Sequence, residues 1–124
     1  MKTFLLLLFL QSAIPKNANE IVVKASFDQV KMALNSNGYT VKEYIKDFGI
    51  IKTEPKSTEY TFDLQLTIKM IGDSAYIKGN CITAGYYNFT AENLKYRSVP
   101  KVGFEEMNKF ALSIDSNLTY KIIK

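Results

Sequence analysis

The chain has no histidine, no tryptophan and a single cysteine, Cys81. That inventory limits the chemistry before any fold is considered. Without histidine there is no side chain whose ordinary titration lies near neutral pH, and the commonest metal ligand is missing. Zinc sites of histidine or several cysteines are excluded, as are Ser-His-Asp and Cys-His centres. Gly79 and Gly85 are too far apart for a phosphate loop and fall in or beside a strand. Carboxylates remain. Glu105 and Glu106 are adjacent in a helical pattern and so point apart; they read as surface charges. Glu43 differs, because by alternation it shares a face with Tyr39, Val41 and Ile45, the face expected to be apolar. A buried carboxylate is costly unless paired, and such groups often mark function. A sheet margin or a bulge would instead turn it outward. The chain therefore reads as a non-enzyme with no catalytic residue, no metal and no cofactor. Glu43 is the only group on which a carboxylate-based enzyme would rest.

Three further groups bear on binding. The expected inner face of the 75–84 strand is Ala75, Ile77, Gly79, Cys81 and Thr83, mostly small. Small residues let a helix approach closely, or they leave room for an apolar ligand. Glu43, Gly79 and Cys81 are the candidate ligand-facing residues. The expected outer face carries Lys42, Lys46, Lys69 and Lys78 with Tyr44 and Tyr76. That is the composition of a solvated sheet face, and also of one that meets anionic lipid or nucleic acid. Finally, Tyr86, Tyr87, Phe89, Tyr96 and Arg97 cluster in a segment with no clean period. Interfaces favour Tyr and Arg, so these five are the candidate partner-binding residues, unless the segment folds back over the core. Asn88-Phe89-Thr90 and Asn117-Leu118-Thr119 match glycosylation acceptors, at a frequency close to chance.

The elements that must position these residues follow from periodicity. The chain has 124 residues, a single domain's worth, with 47% hydrophobic and 23% charged residues and a net charge of +4. Glu20–Lys24 reads as a short strand. Ser26-x-x-Gln29 is a capping box, Phe27, Val30 and Leu34 mark one apolar face, and Gly38 stands where a helix ends; the helix is placed at 26–37. Tyr39–Lys46 and Ile50–Glu54 form a hairpin about Asp47-Phe48-Gly49, and Pro55–Thr58 is a loop. Tyr60 to Met70 is eleven residues of strict alternation, a half-buried antiparallel strand. Gly72-Asp73 turns it into a partner strand, Ala75–Ala84. Tyr87–Thr90 fits one more short strand. A second helix opens near Ser98-Val99-Pro100, with Phe104, Met107, Ala111 and Ile114 as its stripe. Leu118–Lys124 fits a closing strand. The expectation is an α+β domain: a curved antiparallel sheet of four to six strands, two helices on one face, order β-α-β-β-β-β-α(-β).

That order resembles the TATA-binding-protein-like, or helix-grip, class. The run Gly38-Tyr39-Thr40-Val41, then Asp47, then Gly49-Ile50-Ile51-Lys52-Thr53 is similar to a pattern in small bacterial envelope proteins, BamC-type domains among them. The resemblance covers about residues 20–84. It implies a non-catalytic envelope module. The chain departs from BamC-type proteins in having no lipidation cysteine and one domain.

Met1-Lys2-Thr3 is a charged start, Phe4 to Leu10 an apolar run, and Gln11-Ser12-Ala13 a polar, small-residue end. This is the pattern of a secretory signal, and the run is far short of the about 20 residues a membrane span needs. Cleavage would follow Ala13 or Ala18. Residues 1–18 are thus expected to be a signal and short linker, and 19–124 one domain. The leading expectation is a secreted or periplasmic binding module, not lipid-anchored. Its partner would be a protein or envelope component, with nucleic acid disfavoured by export. Edge-strand pairing into a homodimer is open beside the 55–58 loop. The second reading is a small carrier of an apolar ligand between sheet and helices.

Overall fold

A computed structural model describes residues 14–58, 62–84, 89–93 and 101–123. Strand β1 (Glu20–Lys24) leads into helix α1 (Phe27–Ser36). Strand β2 (Val41–Ile45), a 3-10 turn (Lys46–Phe48) and β3 (Ile50–Thr53) follow. Then come β4 (Lys56–Ser57), β5 (Asp63–Ile71), β6 (Ser74–Ala84), β7 (Phe89–Asn93), helix α2 (Lys101–Leu112) and β8 (Leu118–Lys121). The class is α+β, with an open antiparallel sheet in the order β2-β3-β5-β6-β1-β8. Strand β4 also pairs with β5, and β7 with β6.

Local signals act as the sequence leads one to expect. Ser26 Oγ accepts from Gln29 N at 3.2 Å, and Gln29 Oε1 accepts from Ser26 N at 2.8 Å. This reciprocal cap starts α1. Gly38 ends it at φ +81°, where a side chain would be strained. On β5, Leu64, Leu66 and Ile68 are fully buried and alternate with Gln65 and Thr67, which are half-buried. Ile21 and Val23 of β1, Ala75 and Ile77 of β6, and Ile51 of β3 join them through the strand register. Both helices close this inner face. Val30 and Leu34 of α1, and Phe104, Met107, Phe110 and Ala111 of α2, belong to the same core.

Several expectations change. Lys56–Ser57, expected as loop, forms β4, because Glu54-Pro55 only briefly interrupts pairing along β5. The fifth strand begins at Asp63; Tyr60 lies outside the described residues. Ile14 to Asn19, where the short linker is expected, lies against the fold. Ala18 is fully buried, Ile14 packs against the core, and Ala18 N donates to Pro15 O at 3.1 Å. Among the described residues no helix is long and apolar enough to cross a membrane.

Candidate functional site

Among the described residues, the outer face of the sheet is left uncovered by the two helices. Register defines it row by row. One row runs Glu43, Lys52, Thr67, Lys78 across β2, β3, β5 and β6, and Glu20 and Lys121 extend it on β1 and β8. The next row is Ile45, Ile50, Lys69, Tyr76, Val22 and Thr119. Lys52, Lys78 and Lys121 are each two strands apart, about 10 Å at the usual strand spacing. Lys121 Nζ lies 5.0 Å from the Tyr76 ring centroid, a cation–π contact. Glu20 is 8% exposed and its carboxylate stands 3.9 Å from Lys78 Nζ. The face is a mixture of lysine, tyrosine and aliphatic side chains, with Lys24 at one end and Asp63 at the other.

Two residues of β2 exchange the faces that alternation gives them. Val41 pairs with Thr53 but Glu43 pairs with Lys52, so a bulge lies between Val41 and Glu43. One extra residue reverses every side chain after it. Glu43 is therefore exposed on the outer face beside Lys52, not in the core. Tyr44 turns to the helix side, where its ring stacks against Phe27 with centroids 4.8 Å apart. Lys52 and Lys121, absent from the expected basic set, belong to the outer face through pairings that span the chain.

Gly79 and Cys81 do lie on the inner face, opposite Leu66 and Leu64. There α2 packs across β6 and β1, and the small residues allow its close approach. Neither residue lines either of two surface hollows formed by described residues. One, of about 250 Å³, lies between α1 and the end of α2 and is lined by Met32, Asn37, Ser113 and Ile114. The other, of about 390 Å³, lies beside Lys24, Phe27 and Asp73. Of the partner-binding candidates, Tyr86, Tyr87, Tyr96 and Arg97 lie outside the described residues, and Phe89 is described only as the first residue of β7. Glu105 is exposed, as expected, and Glu106 pairs with Lys109 at 3.2 Å.

Among the described residues, the titrating group with a clear shift is a packed one, Tyr39. Tyr39 is held just before β2, edge-on to Phe110 with ring centroids 5.6 Å apart. Burial, and secondarily the Glu106 carboxylate, push its phenol up to about 12. Lys56 Nζ sits 4.7 Å over the same ring and donates to Asn37 O at 2.6 Å. The lysine thereby satisfies a carbonyl at the end of α1.

Comparison with protein-family models, with curated proteins and with solved structures gives no match.

Proposed function

We propose that the chain is an exported, non-enzymatic binding module that meets an anionic partner, a protein or envelope component, through its outer sheet face. The observation that carries this reading is the face itself: Lys52, Lys69, Lys78 and Lys121 share with Tyr76 a sheet face that neither helix covers, and Lys121 lies over its ring. A tyrosine among lysines offers apolar contact area and charge together, the combination interfaces use. The lack of histidine and the outward turn of Glu43 leave little for catalysis. Export is supported by the charged and apolar N-terminus. The core packing of Ile14 and Ala18 favours a cut after Ala13, which leaves both in place.

Two measurements test the reading. An intact mass of the chain expressed with its own N-terminus should be short by Met1–Ala13; an uncut chain rejects export. Binding to phosphatidylglycerol vesicles and to polyglutamate should weaken with salt. In the triple variant Lys52→Glu, Lys69→Glu, Lys78→Glu it should fall by about tenfold or more. A variant that binds both probes as tightly as the natural chain rejects the face.

A further inference from the structure

The two ends of the sheet are strands β2 and β8, and β8 carries the more exposed aliphatic edge. It continues into Ile122 and Ile123, which are 52% and 43% exposed. Lys121 O accepts from Asn19 N at 2.9 Å. Ile123 N donates to Asn19 Oδ1 at 2.8 Å, and Ile123 O accepts from Asn19 Nδ2 at 2.7 Å. Residues 121 and 123 therefore turn their backbone groups toward β1. In an extended strand the neighbouring positions turn theirs the other way. Leu118 and Ile122 thus present N–H and C=O to the outer edge, and among the described residues no strand pairs with β8 there.

We propose that this edge joins two copies of the chain, antiparallel, about a two-fold axis at Tyr120. In that register Leu118 of each copy faces Ile122 of the other, the pairs exchange backbone hydrogen bonds, and two exposed isoleucines gain apolar neighbours. On the outer face Thr119 meets the partner copy's Lys121, so no like charges are opposed. The arrangement is isologous and closes on itself. Tyr120 sits on the axis with its hydroxyl already 2.6 Å from Asn108 Oδ1 and its ring beside Phe104. The edge is polar along the backbone and aliphatic along the side chains, which is what a second β-strand completes. A contact this short buries little area, so the dimer dissociates on dilution. The proposal uses a strand edge and stands independently of the sheet-face reading.

The test is light scattering on the full chain after size exclusion, from about 1 µM to about 1 mM. The mass should rise from monomer to dimer across that range. Thr119→Lys opposes two like-charge pairs by symmetry and should weaken the dimer by about threefold to tenfold. Thr119→Glu should tighten it by a similar factor. Ile122→Pro removes an outward N–H that no bond among the described residues uses, and should abolish the dimer while the circular dichroism spectrum stays unchanged. A chain monomeric throughout, or a dimer indifferent to all three substitutions, overturns the proposal.

Discussion

The two edges of the sheet are built on opposite principles. At the β2 edge the ladder is broken by the Val41–Glu43 bulge, and Lys42 and Glu43 put charge along the rim. Bulges and charges are the means by which sheets resist further pairing. That edge is also tied inward: Tyr39 packs on Phe110, and Lys56 bridges the Tyr39 ring to the end of α1. At the β8 edge the register to β1 is unbroken from Leu118 to Lys121. The strand is held by Asn19, whose side chain bonds both backbone groups of Ile123, and its far side ends in isoleucine. The contrast teaches that one sheet can close one edge by irregularity and keep the other regular enough to accept a strand.

The largest expected effect probes the tie at β2. Tyr39→Ala removes a buried ring and should cost about 3–5 kcal/mol, read as a lowered midpoint in denaturant, with self-association of the remaining folded chain unaltered. A cost below about 1 kcal/mol would mean that packing does not anchor this edge.

Next comes pH. The folded Tyr39 phenol is pushed up to about 12, first by burial and then by Glu106, whereas in the unfolded chain it titrates near its usual value of about 10. The folded state holds its proton more tightly. Its contribution is fully present below pH 10 and is lost as pH rises from about 10 to about 12, at most about 2–3 kcal/mol. Thermal melts should fall over that window, and Tyr39→Phe should remove this part of the fall.

The third effect lies at β8. Asn19→Ala deletes both bonds to Ile123 and should cost about 1–2 kcal/mol. Amide exchange at Ile123 should speed up and the dimer should weaken, while Lys56→Met, at the other edge, should leave both unchanged. The smallest effect is Glu43→Gln. An exposed carboxylate on a blunted edge should move stability by no more than about 0.5 kcal/mol. A larger loss would show Glu43 engaged in more than its pairing with Lys52.

Much of this was legible because it is local. The Ser26–Gln29 cap, the positive φ at Gly38 and at Gly72, and the alternation along β5 depend on residues close in sequence. Hydrogen-bond chemistry and side-chain period therefore determine them without reference to the rest of the chain. The candidate site was legible only in part. Lys69, Lys78 and Tyr76 follow from alternation within uninterrupted strands. Alternation alone places Glu43 and Tyr44 on the opposite faces; the bulge that the sequence leaves open as the alternative for Glu43 is settled by the partner strand, and no residue at Lys42 announces it.

What the sequence by itself determined is the α+β class, the two helices, the long central hairpin and the absence of histidine chemistry. What only the tertiary structure decided is which strands lie at the edges, which face each residue of β2 takes, and that Ile14 and Ala18 belong to the core. The reason is common to all three. They depend on pairings between residues far apart in the chain, such as Val22 with Thr119 and Glu43 with Lys52, and a single-residue shift in register exchanges inside for outside.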